Sequence, residues 1–240
     1  MKLFFGTTNP GKLRELRRLV AGLDVAVVSP ADLGRPLPEV PEDGATFAEN
    51  AEHKAATYAR LTGMFALADD SGLCVDALGG APGVLSARWS DVEPASSPAS
   101  PVCDLAEGAA AELGEEAGRA ARDERNNDRL LAELAGLPPA RRGAEYRAVL
   151  SLARPDGTLA GSVEGACRGR IGSERRGTGG FGYDPLFEPE ADWPERGGRG
   201  RTMAELGPEE KDALSHRGAA FRALRPLLAR CLLDVRASNG

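Results

Sequence analysis

The sequence predicts an α/β fold, and three observations carry that prediction. Lys2–Phe5 is a short apolar segment typical of a buried strand, and Lys12–Val20 has apolar residues at helical spacing. Asp24–Ser29 is a second strand candidate, so the chain opens as strand, helix, strand, the order of a βαβ unit. Glu145–Ala153 and Thr158–Ile171 flank a Pro-Asp-Gly turn, which predicts a long hairpin.

Two further helices are predicted from their start signals. Thr46 and Glu49 have the spacing of a capping box, which predicts a helix that runs to about Leu61. Pro208 is followed by two glutamates, a favourable combination at the positive end of a helix. One helix or two continue from there to about Val235.

A pair of aspartates is the most informative feature of the chain. Asp69 and Asp70 stand between two apolar runs, Phe65–Ala68 and Leu73–Leu78. Because unpaired charge is costly to bury, we expect the acids where a buried strand opens onto solvent. Carboxylates at such a position suit Mg²⁺, which keeps waters for substrate phosphates. A surface turn with two solvated acids is the alternative.

Composition limits the classes of function. The 240 residues carry 30 basic and 36 acidic side chains, a net charge of −6, whereas nucleic-acid binders usually show a basic excess. No apolar run approaches the length of a membrane span. The four cysteines form no CxxC pair, which favours reduced thiols in the cytoplasm. We therefore expect a cytoplasmic protein that binds neither nucleic acid nor membrane.

Two segments differ in composition from the rest. Ser90–Glu124 is rich in Ala, Gly, Glu and Pro and has few large apolar groups to bury, which predicts a mobile surface excursion with weak helix content. Trp193–Arg201 places three arginines among glycines and predicts a solvated loop. We expect one domain over residues 1–240 with a flexible insertion at 90–125.

Gly6–Lys12 matches the GxxxxGK pattern of a phosphate-binding loop between a strand and a helix. Leu13 follows where that loop needs Ser or Thr, so a standard wrap around phosphates is disfavoured. A helix N-terminus still offers free N–H groups to an anion, and Lys12 adds charge. A tight turn with a solvated lysine is the alternative.

Three other groups of residues are candidates for binding or chemistry. The acids of the loop before the capped helix, Glu39, Glu42 and Asp43, are possible metal ligands, although a run of acids is by itself more typical of a solvated loop. The helix residues Glu49 and Asn50 are also candidates, with helix capping and surface exposure as the alternative. The glycine-rich segment Arg175–Phe187 holds Phe181 and Tyr183, which could stack on a base, and Asp184, which could accept hydrogen bonds from it. Lys211, Ser215, His216 and Arg217 suit recognition of phosphate and purine carbonyls.

Six motifs then occur in one order: GTTNPGK, EDGATFAENA, ADDSGLCVDALGGAPGVLSAR, EG and GRI within 164–171, RGTGGFGYDPLF, and SHRGAA. Together they strongly resemble the inosine/xanthosine triphosphate pyrophosphatases, enzymes that remove nonstandard purine nucleotides. The resemblance covers nearly all of residues 2–89 and 126–230. It implies a long twisted mixed β-sheet with flanking helices and two lobes around a central cleft.

The resemblance also implies a reaction and a set of roles. A Mg²⁺-dependent homodimer would hydrolyse ITP, dITP or XTP, a small-molecule substrate, to the monophosphate and pyrophosphate. Asp70 would be metal ligand and general base, and Glu42 the second metal ligand, with Glu39 close enough to compete. The residues implied in substrate binding are Thr7, Thr8, Asn9, Pro10, Gly11, Lys12, Ser71, Phe181, Gly182, Tyr183, Asp184, Lys211, His216 and Arg217.

Overall fold

The computed structural model describes residues 1–92, 115–193 and 200–238. Within these ranges, six strands form one sheet in the order β2-β1-β3-β4-β5-β6. The strands are β1 (Lys2–Phe5), β2 (Ala26–Val28), β3 (Phe65–Val75), β4 (Gly143–Ala153), β5 (Leu159–Ile171) and β6 (Phe187–Pro189). The α-helices of the same ranges are α1 (Pro10–Leu19), α2 (Phe47–Thr62), α3 (Glu115–Glu133), α4 (Pro208–Leu214) and α5 (His216–Ser238).

The sheet is mixed, as predicted. Strand β1 pairs in parallel with both β2 and β3, and β5 pairs antiparallel with β6. The parallel β1–β2 pair joined through α1 is the βαβ unit expected from the start of the chain. None of the described helices is long and apolar enough to cross a membrane.

The chain divides into two compact units. The first unit contains residues 1–71, 146–167 and 207–240, and the second contains residues 72–145 and 168–206. Strands β3, β4 and β5 each have residues in both units. The single domain expected from the sequence stays a prediction.

In the first unit, the alternation of side chains along each strand builds two cores. Leu3 and Phe5 of β1 share one core with Leu67 of β3 and with residues of α1 and α5. Phe4 shares the other core with Ala66 and Ala68 of β3 and with residues of α2. Successive residues of β1 and β3 therefore face different helices.

In the second unit, α3 packs beside a 3-10 segment, Gly83–Asp91. The guanidinium of Arg129 lies 4.5 Å from the centre of the Trp89 ring, and Asn126 donates to the carbonyl of Ser86. Arg142 is buried and donates to three backbone carbonyls, those of Leu134, Ile171 and Gly172, at 2.7–2.8 Å.

Several element predictions are confirmed. The first strand has the predicted bounds, and the capping box is present in both directions between Thr46 and Glu49. Helix α1 begins at Pro10, two residues before the predicted start, because Asn9 caps it. Ser215 separates α4 from α5, so the C-terminal helical region is two helices.

Two predictions are wrong. The paired aspartates do not stand where a buried strand opens onto solvent, because β3 continues through them and both side chains are buried, which also excludes the alternative of a surface turn with two solvated acids. Part of the predicted excursion is regular structure, since Glu115–Glu124 forms the first part of α3. The rest of that segment, 93–114, and residues 194–199 of the arginine-rich segment lie outside the described residues.

Candidate active site

The two adjacent aspartates contact different groups of residues because of the geometry of a strand. Asp69 and Asp70 are consecutive in β3, so their side chains point to opposite faces of the sheet. Asp69 meets Lys12 of α1 and Arg217 of α5. Asp70 meets Asn50 of α2. Both carboxylates are nearly inaccessible to solvent, and each is held by polar groups rather than solvated.

Three donors hold the carboxylate of Asp69. Its Oδ1 accepts from the ammonium of Lys12 at 2.6 Å and from the hydroxyl of Ser71 at 2.8 Å. Its Oδ2 accepts from Nε of Arg217 at 2.8 Å. Burial alone would raise the pKa of Asp69, but Arg217 and Lys12 outweigh burial and hold this pKa far below its ordinary value. Asp69 therefore holds cations, and its lowered pKa makes it a poor base.

Asp70 has the opposite electrostatic character. Its Oδ2 accepts from Nδ2 of Asn50 at 2.9 Å, and its Oδ1 accepts from the backbone N–H of Ser71 at 3.1 Å. The ammonium of Lys54 is 3.9 Å away. Burial raises the pKa of Asp70 above its ordinary value, since Lys54 and Lys12 offset it only in part. A second cation beside Asp70 would relieve this cost.

Glu42 and Asp70 converge on one cation, Lys54. Its Nζ lies 2.7 Å from Oε1 of Glu42 and donates at 2.8 Å to the backbone carbonyl of Asp69. Two hard carboxylates fit Mg²⁺, which is commonly held by one or two acids plus substrate phosphates. Within the described residues no group of three or more His, Cys, Asp or Glu could hold a metal ion. Glu39 is exposed and no contact joins it to Asp70 in the described residues.

A buried acid of α1 links the two cations from the C-terminal helices. Glu15 is 5% exposed and accepts from Nζ of Lys211 at 2.8 Å and from Nη1 of Arg217 at 3.1 Å. Burial would raise the pKa of Glu15, but Arg217 and Lys211 outweigh it and lower this pKa. Arg217 also donates to the hydroxyl of Ser71 at 2.7 Å. Three side chains, those of Asp69, Glu15 and Ser71, therefore fix the guanidinium of Arg217.

His216 is the first residue of α5 and is 3% exposed. Its ring stacks on Tyr146 of β4, with centroids 4.6 Å apart and planes 10° apart. Ser215 caps the helix by accepting from the N–H of Gly218 at 3.1 Å. The Nδ1 atom of His216 is buried without a hydrogen-bond partner among the described residues. Such an atom suits a ligand that brings its own partner.

We expect His216 to make the protein less stable in mild acid. Burial, and then Arg217, lower the pKa of His216 well below its ordinary value of about 6.5. Below that value the unfolded chain binds a proton that the folded chain does not. The free energy of unfolding should therefore fall by up to about 1.4 kcal/mol for each pH unit below 6.5. Urea unfolding at pH 7.5, 6.5 and 5.5 measures it.

The control for this prediction is a variant that keeps the ring stack. His216→Phe should remove most of the slope between pH 6.5 and 5.5, whereas His53→Gln, at an exposed residue of α2, should leave it unchanged. An unchanged slope in His216→Phe would show that other groups cause the acid sensitivity.

The turn before α1 differs from the expected anion site. Asn9 caps the helix, and its Oδ1 accepts from the N–H groups of Gly11 at 2.8 Å and Lys12 at 3.3 Å. The expectation of free N–H groups at these positions is therefore wrong. Thr7 accepts from the N–H of Asn9 at 3.1 Å, while Thr8 is exposed. These two N–H groups are therefore not what the turn would offer to a phosphate, whereas the charge of Lys12 is.

The glycine-rich segment belongs to the second unit, whereas the residues described so far belong to the first. Tyr183 is 3% exposed and donates its hydroxyl to the carbonyl of Ser86 at 3.0 Å, so its ring is part of the interior. Asp184 is also buried and accepts from the N–H of Phe181 at 2.8 Å. Phe181 keeps partial exposure, and of the two aromatic rings it is the one available for stacking.

Sequence reasoning missed Lys54, Glu15 and Tyr146. The signal for the first two was present in the helix pattern. Lys54 lies on the buried stripe of α2 with Phe47, Asn50 and Ala51, and Glu15 lies beside Leu16 on the buried face of α1. A charged residue at a buried position of an amphipathic helix requires a partner. Tyr146 had no comparable signal, because an aromatic residue in a strand is ordinary.

Fold and site together define an α/β protein in which one strand presents two acids to separate groups of basic residues. The model of the Ham1 family matches residues 3–116 and 110–227. The chain belongs to the Ham1 family, and the resemblance drawn from the six motifs is confirmed.

Similar proteins carry names that describe an activity. A dITP/XTP pyrophosphatase from an Anaeromyxobacter species is 72% identical over 230 residues, which cover 96% of this chain and 97% of the relative. Among solved structures, a HAM1 protein from Coxiella burnetii matches with a TM-score of 0.71 and 31% identity, covering 96% of this chain and 99% of that one. A nucleoside-triphosphatase / dITP/XTP pyrophosphatase from Mycobacterium abscessus matches with a TM-score of 0.62 and 42% identity, covering 94% and 100%.

Proposed function

We propose that this chain hydrolyses dITP, XTP and ITP to the nucleoside monophosphate and pyrophosphate, with Mg²⁺ as cofactor. The chain is a hydrolase of the nucleoside triphosphate pyrophosphatase class, as its family and its curated relatives indicate. The structural observation that carries the finer proposal is the convergence of Asp70 and Glu42 on one cation, Lys54. That arrangement supports hydrolysis of a charged anhydride.

Asp70 and Glu42 are the residues that we propose hold Mg²⁺, and their hard oxygens suit it. When bound, the metal supplies a Lewis acid that offsets phosphate charge. The protein supplies a carboxylate whose orientation is fixed by Asn50 and by the N–H of Ser71. We propose that Asp70 accepts the proton of the attacking water as general base. The α-phosphorus receives the water oxygen, and pyrophosphate departs with the electron pair of the broken P–O bond.

Basic residues of the first unit match the charge of a triphosphate. Lys12, Lys54, Lys211 and Arg217 each have an acidic partner in the described structure. A substrate that carries its own negative charge can share these cations with the acids. We propose that Lys12 and the turn Thr7–Gly11 hold the phosphates, and that Ser71 contacts the substrate.

Selectivity for the base needs donors for oxo groups and no partner for amino groups. Lys211 and Arg217 are cations that can donate to a 6-oxo group, which excludes adenine. A site without an acceptor for the 2-amino group disfavours guanine, because a buried polar group without a partner is penalised. We propose that His216 also contacts the base and that the segment Phe181–Asp184 binds it, with Phe181 stacking on the ring.

A pyrophosphate-release assay tests this proposal. The protein is supplied with dITP, XTP, ITP, ATP or GTP, with Mg²⁺ or with a chelator. We expect pyrophosphate, and no orthophosphate, from the first three nucleotides only, and no release in the chelator. Equal release from all five would keep the chemistry and remove the account of selectivity. Nucleotide binding without release would indicate a sensor.

The assembly and location of the protein are further parts of the proposal. We propose a homodimer in the cytoplasm that takes only small-molecule substrates. The net charge of −6 supports the absence of a nucleic-acid partner. Light scattering of the purified chain measures the mass, and a monomer would contradict the dimer.

A further inference from the structure

The geometry points to Asp123 and Asn127 of α3 as positioning residues for substrate binding, because together they clamp the backbone N–H and C=O of Gly182, the residue after Phe181. This inference rests on the proposed role of the segment Phe181–Asp184 in binding the base. It goes further because it assigns part of the discrimination between purine bases to α3, a helix outside that segment.

The clamp grips both polar groups of one residue. Asp123 accepts from the N–H of Gly182 at 2.8 Å, and Asn127 donates from Nδ2 to the carbonyl of Gly182 at 3.0 Å. The two side chains are four residues apart, so they project from the same face of α3. Asn127 is 1% exposed, and its Oδ1 has no hydrogen-bond partner among the described residues. Asn127 is therefore buried at the cost of one unpaired atom.

The backbone around Phe181 needs such support. Gly180 and Gly182 have φ values of +78° and +63°, in the left-handed region where glycine has no strain but also no side chain to anchor it. The N–H of Phe181 is held by Asp184 at 2.8 Å. The peptide groups before and after Phe181 are therefore both held by polar side chains, the first by Asp184 and the second by Asp123. These hydrogen bonds fix the backbone from which the ring of Phe181 projects.

The consequence is a separation between binding and chemistry. The clamp lies entirely in the second unit, and Asp70, the proposed base, lies in the first. Loosening the clamp should weaken binding of the purine ring while the groups that attack the phosphorus stay unchanged. KM should rise and kcat should be kept, and discrimination between hypoxanthine and guanine should decrease, because the position of the ring determines which edge groups find partners.

Neighbouring residues of α3 provide matched controls. Asn126 is also 1% exposed, but it contacts the carbonyls of Ser86 and Ala87 and the N–H of Ser90 instead of Gly182. Asn126→Ala therefore removes a buried amide from the same helix without touching the clamp. Glu133→Gln removes a charge from the last turn of α3, where Glu133 pairs with Arg129.

The experiment measures binding and turnover separately. Calorimetry records the affinity for inosine 5′-monophosphate, which has the base but no anhydride to hydrolyse, and for guanosine 5′-monophosphate. Pyrophosphate release gives KM and kcat for ITP. The variants are Asp123→Ala, Asn127→Ala, the conservative Asp123→Asn, which keeps an acceptor for the N–H of Gly182, and the two controls. Hydrogen exchange over 177–187 reports the state of the segment itself.

For Asp123→Ala and Asn127→Ala we expect the affinity for inosine monophosphate to fall about tenfold and KM for ITP to rise about tenfold. The value of kcat should stay within about twofold. This is the size of effect that follows the loss of a buried hydrogen bond. Asp123→Asn should restore most of the affinity, and Asn126→Ala and Glu133→Gln should match the wild type. Hydrogen exchange at Gly182 should increase in the two alanine variants.

Other results separate the two proposals. If the alanine variants match Asn126→Ala in affinity and KM, the positioning role is overturned and the proposed function stands. A second outcome is that the wild type binds inosine monophosphate, the clamp variants bind it more weakly, and none of them releases pyrophosphate. In that case the positioning role stands and the proposed function fails. If the wild type neither binds the monophosphate nor releases pyrophosphate, both are overturned.

Discussion

Replacing Asp70 by asparagine should lower kcat for XTP by about 10³-fold, a typical loss when a general base is removed. The fold should be retained, because asparagine has the same shape and its single oxygen can still accept from Asn50, while Lys54 keeps Glu42 and the carbonyl of Asp69. Only the weaker contact from the N–H of Ser71, at 3.1 Å, is lost. Burial raises the pKa of Asp70, so the ionised carboxylate is disfavoured in the folded chain. The free energy of unfolding, measured by urea in a chelator, should therefore be equal to or above that of the wild type.

The control for this variant is an exposed acid of the loop before α2. Asp43→Asn should keep both activity and stability, because Asp43 is exposed and outside the site. Retained turnover in Asp70→Asn would remove Asp70 from the role of base. A large loss of stability in Asp70→Asn would show that the charge of Asp70 stabilises the fold.

Much of the fold was readable from the sequence because the signals are local. The capping box at Thr46 and the apolar segment Lys2–Phe5 depend on residues that are close in the chain, and both are confirmed. The burial of Asp69 and Asp70 was missed for the same reason. Two consecutive acids are expected at the solvent-facing end of a strand as long as their partners are unknown, and the partners come from α1, α2 and α5, remote in sequence.

The site residues that lie in recognisable motifs were predicted, and the residues whose role depends on an ion pair were missed. Resemblance pointed to Lys12, Asp70 and Arg217, and the structure places Lys12 and Arg217 on the carboxylate of Asp69. It could not reveal the ion pairs of Lys54 and Glu15, because an ion pair between two helices or a helix and a loop depends on packing. A search for charged residues on buried helix stripes would have found both.

The placement of the two acids explains how one strand can do two tasks. An aspartate whose pKa is held far below its ordinary value by two buried cations is a poor base for a water molecule. Consecutive residues of a strand face opposite sides. Asp69 is therefore fully paired with cations and Asp70 is left incompletely compensated, and the pKa values of the two carboxyls move in opposite directions. Opposed shifts in neighbouring acids are typical of sites that divide structural and chemical roles.

The second large effect is therefore expected at Asp69, and it is a loss of stability. Asp69→Asn removes the carboxylate that pairs with Lys12 and one of the two carboxylates that pair with Arg217. Removing one member of a buried ion pair leaves an uncompensated charge, which costs about 3 kcal/mol or more. Urea unfolding at pH 7 should show a lower free energy of unfolding for Asp69→Asn, in contrast to Asp70→Asn.

The pH dependence gives this prediction its sign. Burial would raise the pKa of Asp69, yet Arg217 and Lys12 lower it below the value of an unfolded aspartate. A carboxylate with a depressed pKa contributes stability that is present above its unfolded pKa of about 3.9 and is lost as the pH falls below it. The difference between wild type and Asp69→Asn should thus be constant from pH 7 to 5 and should shrink below pH 4.

An exposed ion pair of the same unit is the matched control. Arg147 and Glu164 are joined at 3.1 Å, with side chains that are 46% and 60% exposed. Glu164→Gln should cost less than about 1 kcal/mol, because solvent screens such pairs. Similar small losses in Glu164→Gln and Asp69→Asn would mean that the buried network does not hold α1 and α5 to β3. A loss confined to Asp69→Asn would establish that the acid beside the proposed base serves the fold.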